Sequence, residues 1–180
     1  LRGENPYSIT VTQDIQMGMY GRLARPDEDQ AAYAYPLYTA FTIAPLVGLP
    51  YAQAQAFWMA LLIFAAVGGA LVLARLNRIV LKPFMLAAVL SGVLVFYPTV
   101  RGVFLGQFAL VSFFCIVLAL WSVEVNADVL AGVLLALATI KPQPAIFLVP
   151  VVLVWAIQHR RAKILIGAVG MLAMLIGLGM

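Results

Sequence analysis

Charge is what this sequence has least of. Only 10% of its 180 residues are Asp, Glu, Lys or Arg, against roughly 25% in an ordinary soluble domain. That is too little polar surface to cover a core of this size, which excludes a soluble globular fold. Cysteine is nearly absent as well. Cys115 stands alone in mid-run, so no intrachain disulfide forms, no redox compartment is encoded, and the residue reads as packing. No HExxH, CxxC, GxSxG or Walker-type pattern occurs, leaving metal, thiol and nucleotide chemistry without support. No metal site and no cofactor is expected. An initiator Met and a charged leader are also missing: the chain starts at Leu1 and stops inside an apolar run at Met180. Both ends are therefore expected to be cut, and no signal peptide is read.

What is present is hydrocarbon. Hydrophobic residues make up 64% of the chain and the mean hydropathy is +1.03. They come in runs approaching or exceeding about 18 residues, the length of a transmembrane helix, rather than in a one-sided stripe. The net charge of +4 lies in loops flanking these runs, so it points to membrane orientation and not to nucleic acid.

Residues 1–34 are the most polar part. Ser8 to Ala24 mixes apolar and polar side chains as a short interfacial amphipathic helix does. Pro26-Asp27-Glu28-Asp29-Gln30 is a solvated turn, and Tyr33 to Pro50 is expected to lie at or dip into the membrane surface. Gln53–Ala74 is a span of about 33 Å, followed at once by Arg75, Arg78 and Lys82. Pro83–Val100 is a second span, residues 101–107 an outer loop, Phe108 to about Val123 a third span, and residues 124–128 a short turn. Residues 129–157 are apolar except for Lys141-Pro142-Gln143-Pro144; His159–Lys163 closes them, and Ile164–Met180 starts another span.

Parity decides how residues 129–157 are used. The loops 75–82 and 159–163 each carry three Lys/Arg and no acid, so both belong in the cytoplasm. One span over 129–157 would leave the second loop outside. Two short helices, 129–140 and 144–157, meeting at Lys141–Gln143 return it inside, and the two prolines supply the break. The same count puts residues 1–52, residues 101–107 and Lys141 outside. The reading is an all-α, polytopic transmembrane helical bundle. It has an extracytoplasmic interfacial segment over 1–52, a bundle over 53–180, and a broken helix pair near Lys141.

Lys141 is the most informative side chain. A lysine between apolar runs costs roughly 2.5–3.5 kcal/mol at a helix centre on insertion scales. One reading is a phosphate-binding cation in a cavity open to the outside; the other is a lysine snorkelling to the outer interface. The adjoining Pro-Gln-Pro, which fixes a break at that depth, favours the first. Arg101 with Gly102, Gly106 and Gln107 reads either as a phosphate-binding loop, with glycine N–H groups near a ligand, or as a tight interhelical turn. Glu4, Asp14 and His159 read as surface or interfacial residues.

Four blocks occur in order: Gly3-Glu4-Asn5-Pro6-Tyr7, Tyr33-Ala34-Tyr35-Pro36-Leu37, Gly106-Gln107, and Ala131 through Ile140 running into Lys141-Pro142-Gln143-Pro144. This order resembles glycosyltransferase family 87, polytopic enzymes that include polyprenyl-phosphate-mannose-dependent mannosyltransferases. The resemblance implies transfer of a hexose from a polyprenyl-phosphate carrier to a lipid-linked or glycan acceptor, outside the cytoplasmic membrane. It implies that Lys141 and Arg101 neutralise the carrier phosphate, and that Gln107, Gln143, Asn5, Tyr7 and Tyr35 bind sugar hydroxyls or line the acceptor entrance. The helix around 8–24 would sit over the cavity. The family's acidic catalytic base lies upstream of its Asn-Pro-Tyr block, which places it before Leu1; Glu4 and Asp14 do not match it. Competing readings are a non-catalytic membrane subunit or transporter with a broken-helix substrate site, and a flippase or polymerase acting on the same carriers.

Overall fold

Proline, glycine and asparagine set several of the helix boundaries. In the computed structural model, which describes residues 4–178, helix α1 covers Ile9–Tyr20. Its Ser8 cap accepts a hydrogen bond from the Val11 N–H, and Gly21 ends it in the left-handed conformation (φ 67°). Residues Thr39–Ile43 form a short helix α2, extended by a 3-10 turn over Ala44–Leu46. After Pro50 the chain enters the longest helix, α3 (Tyr51–Leu76). Then follow α4 (Pro83–Val95), α5 (Tyr97–Phe104), α6 (Ala109–Glu124), α7 (Asp128–Ala138), α8 (Pro142–Gln158) and α9 (Ala162–Leu178). No strand occurs among the described residues. Gly3 of the first motif, and Met180 at the end of the last expected span, lie outside them.

One expectation is corrected here. Residues 83–100 are not one straight span. A helix continued through Pro98 would drive its ring against the Leu94 carbonyl and lose a donor. Phe96 turns extended instead, and α4 and α5 meet at 53°. Arg101 consequently sits on α5 and not in a loop. The third expected span, from Phe108 to about Val123, falls on α6, and the described part of Ile164–Met180 falls on α9. Helix α3 is the one described helix long and apolar enough to cross a membrane by itself, with the bent α4–α5 pair as a second if both arms make one crossing. The remaining apolar helices, α6 to α9, have 11 to 17 residues.

The bundle is built on small residues. Helices α3, α6, α7 and α9 pack in that order. Gly132 on α7 lies against the Ile164 carbonyl, and Gly167 on α9 lies against the Val129 carbonyl. A Cβ at either would strike backbone. Gly69 on α3 receives the Phe113 ring of α6 in the same way. Between α6, α7, α8 and α9 the core consists of Ala119, Ala131, Leu135, Val152, Ala156 and Ile164. Large apolar side chains such as Phe84, Phe147, Ile166 and Val169 face outwards.

The division of 129–157 into two helices is borne out, and hydrogen bonds fix which ends meet. At one end, Arg161 donates to the Val123 carbonyl (3.0 Å), Asn126 Oδ1 (2.9 Å) and Asp128 Oδ2 (3.2 Å). The α6–α7 and α8–α9 turns therefore lie side by side. At the opposite end, Ser112 Oγ donates to the Ala138 carbonyl at 2.7 Å, joining the start of α6 to the end of α7. Pro142 opens α8, where a missing N–H costs little, so Lys141 is the helix cap.

Candidate functional site

The end of the bundle that carries Lys141 gathers three separate stretches of chain. The first is the turn after α5. Gly106 adopts φ +62°, which glycine takes without strain. Its carbonyl accepts from Trp58 Nε1 at 3.0 Å. The second is the link between α7 and α8, where Lys141 extends back so that its Nζ donates to Gln107 Oε1 at 3.2 Å. Lys141 is half-buried and has no carboxylate partner among the described residues. The third is the segment before α2. Tyr38 Oη bonds Thr139 Oγ1 (2.9 Å) and the Thr139 carbonyl (3.1 Å), tying residues 33–38 to the α7–α8 link.

An aromatic chain runs from the polar N-terminal segment into this cluster. Tyr7 meets Tyr33 edge-on, Tyr33 meets Tyr35, Tyr35 meets Phe108, and Phe108 meets Trp58, with centroids 4.9–6.1 Å apart. The Tyr7 hydroxyl also donates to the Tyr35 carbonyl at 2.6 Å. Burial pushes the Tyr33 and Tyr35 hydroxyls above their ordinary titration range, so both stay neutral donors.

The site is sunk into the bundle. Trp58 lies seven residues into α3, about 10 Å along its axis at 1.5 Å per residue, and its indole holds the Gly106–Gln107 turn against the first turns of that helix. Helix α7, with 11 residues, covers only about 16 Å between the two ends of the bundle. Gln107 also closes the polar end of an apolar groove of 680 Å³ between α3, α4, α5 and α6, whose walls include Ala70, Gly92, Phe96 and Phe113.

Of the residues expected at the site, Lys141, Gln107, Tyr35 and Tyr7 are brought together, directly or through the aromatic chain. Asn5 is used locally, its Oδ1 accepting from the Tyr7 N–H at 3.0 Å to shape the turn before α1. Gln143 is exposed on the first turn of α8. Arg101 is exposed on α5 and reaches back to Tyr97 Oη at 3.3 Å, away from the Lys141–Gln107 pair. The glycine N–H groups expected to meet a ligand are taken up by the fold. The Gly106 N–H donates to the Val103 carbonyl, and Gly102 is buried against Leu110. Helix α1 has no extensive packing against the other described helices. Its buried Gln16 bonds the Gln30 carbonyl and the Ala24 N–H, folding the helix onto its own following segment.

Sequence reasoning missed Trp58, Phe108, Tyr38 and Thr139. Trp58 carried a signal: an indole N–H within an apolar span requires a partner. Tyr38 and Thr139 lie 101 positions apart, and nothing local announces their bond.

Comparisons with curated proteins and with solved structures give no match. A family model for glycosyltransferase family 87 matches residues 33–180, which takes in both the tyrosine segment and the Lys141 link. The chain belongs to glycosyltransferase family 87, a family of membrane glycosyltransferases.

Proposed function

We propose that this chain forms the donor-binding part of an enzyme that transfers a mannose-like hexose from a polyprenyl-phosphate carrier to a lipid-linked or glycan acceptor. In this reading the Lys141 end is extracytoplasmic, and the loops containing Arg75, Arg78, Lys82 and Arg160, Arg161, Lys163 are cytoplasmic. The shorter helices complete a multi-pass bundle in the plasma membrane. The acceptor oxygen attacks the anomeric carbon, the bond from that carbon to the phosphate oxygen breaks, and the carrier leaves as polyprenyl phosphate. The leaving phosphate gains negative charge, which a fixed cation stabilises.

One observation carries the proposal: a half-buried lysine whose recorded side-chain partner is a neutral amide, Gln107, which itself lines an apolar groove. Lys141 is positioned to meet the phosphate, and Gln107 orients the ammonium. The N-terminal end of α8 adds positive potential of the same sign. Tyr35, Tyr7 and the neighbouring Tyr38 line the side from which a sugar or acceptor enters, with Asn5 and Gln143 at its margin. Arg101 attracts the anionic carrier from farther out. No catalytic base is assigned to the described residues.

The test is transfer of radiolabelled mannose from polyprenyl phosphate to endogenous acceptors by the intact protein in proteoliposomes. Labelled acceptor is expected with wild type and not with Lys141→Ala. A Lys141→Ala protein that is expressed and active at wild-type level would overturn the phosphate role.

A further inference from the structure

Two arginines occupy backbone positions that arginine does not favour. Past the caps of α3, α5, α6 and α8 the chain turns left-handed, at Arg78 (φ 54°), Gly106 (62°), Asn126 (60°) and Arg160 (55°). In each turn the following N–H returns to the carbonyl five residues back, which closes the helix end. Glycine adopts this shape without strain, and asparagine is the usual second choice. Gly106 and Asn126 follow that preference, and Asn126 Oδ1 also accepts from Arg161. Arg78 and Arg160 do not. Both are exposed, and neither guanidinium bonds or pairs with another described residue. A bias of basic residues towards one side of the membrane would be met by a cation anywhere in these loops. It gives no reason for one at the strained position.

Of the two, Arg78 lines a groove. Its volume is 580 Å³, and its walls include Leu71, Val72, Ile79 and Val80, with Arg75 and Arg78 as its cations. Val80 is 87% exposed, and no acid lies between Leu71 and Lys82. We infer that this groove binds an anionic phospholipid, its phosphate held by Arg75 and Arg78 and an acyl chain lying against Leu71, Val72 and Val80. Three observations identify the occupant. The groove lies at the end of the bundle away from Lys141, because Trp58 ties the start of α3 to Gly106. Helix α3 is about 39 Å long, more than the roughly 30 Å hydrocarbon core, so its last turn stands among headgroups. At that level an exposed Val80 beside two guanidinium groups suits a molecule that carries both hydrocarbon and negative charge. A soluble anion would leave Val80 in water. Arginine also offers a phosphate a forked set of donors, which lysine does not. The inference depends on α3 crossing the membrane and not on the role proposed for Lys141.

The experiment measures lipid binding to the intact, delipidated protein in mild detergent by native mass spectrometry, with phosphatidylglycerol, phosphatidylcholine and polyprenyl phosphate added in turn. Arg78→Gly removes the cation and leaves a residue suited to the turn, so the helix end survives. Phosphatidylglycerol binding should weaken about fivefold in Arg78→Gly and in Arg75→Gln. It should be unchanged in Arg25→Gln, which removes the same charge from the segment after α1. Phosphatidylcholine should bind more weakly than phosphatidylglycerol, and equally to all of these proteins. Without lipid, the thermal midpoint of Arg78→Gly should match or exceed that of wild type because backbone strain is relieved. Its rise on adding phosphatidylglycerol should be smaller than in wild type. A lipid-free midpoint lowered by Arg78→Gly would mean that the arginine serves the fold, and would overturn the inference. So would equal phosphatidylglycerol binding by wild type and Arg78→Gly, or equal binding of the two phospholipids by wild type. Loss of polyprenyl phosphate binding alone in Arg78→Gly would assign the groove to a different lipid and overturn it too. Lys141→Ala should leave phosphatidylglycerol binding intact, so this inference and the donor reading fail separately.

Discussion

The two ends of the bundle use a cation in opposite ways. At one end the Arg161 guanidinium is saturated, with a carbonyl, an amide oxygen and the Asp128 carboxylate around it and Trp155 beneath it at 5.7 Å. At the other, the Lys141 ammonium donates to one amide oxygen. Both are largely withdrawn from water, so burial alone does not separate them. Satisfaction does. A cation with its full set of partners ties turns together, whereas a cation with donors to spare keeps an unmet preference for an anion.

Lys141→Ala tests the contrast most severely. It should reduce sugar transfer at least about 100-fold, the scale of losing one fixed charge-stabilising donor, yet leave the thermal midpoint within about 3 °C. Arg161→Ala should do the reverse. Stranding Asp128 costs about 3 kcal/mol, seen as a midpoint lowered by about 6–12 °C, with transfer per folded molecule retained. Gln107→Glu would make the first end resemble the second by giving Lys141 its own carboxylate. Donor affinity should then fall about tenfold, measured by competition with polyprenyl phosphate. The smallest effect concerns an exposed pair away from both ends. Hydrogen bonds from the Arg22 guanidinium and the Arg25 N–H hold the Glu28 carboxyl down to about 2 from its ordinary 4.5. A depressed pKa contributes stability that is present above 4.5 and lost as pH falls through about 2. The Arg25 amide resonance should therefore titrate with a midpoint near 2, and Glu28→Gln should abolish that titration.

Much of this was legible in the sequence, for identifiable reasons. The break at Lys141 followed from parity of the basic loops, a global constraint that needs no contact information. Helix α1 followed from the mix of apolar and polar side chains over Ser8–Ala24, and its ends are set by the Ser8 and Gly21 caps. Arg101 was misread because glycines at 102 and 106 suggest a loop, whereas Pro98 restarts a helix that runs to Phe104. The Lys141–Gln107 bond and the Tyr38–Thr139 bond join residues 34 and 101 positions apart. No local pattern encodes either, because the first depends on how α6 and α7 pair and the second on where the segment before α2 lies.

The half-burial of Lys141 bears on dielectric as well as shape. A Lys–phosphate attraction at 4 Å is about 1 kcal/mol in bulk water and about 4 kcal/mol at an effective dielectric constant of 20. If Lys141 meets the carrier phosphate as proposed, its half-buried position beside the 26-residue α3 bundle moves that attraction from the first regime towards the second. Burial here acts as a setting for the local dielectric, and through it for the charge that a departing phosphate can bear.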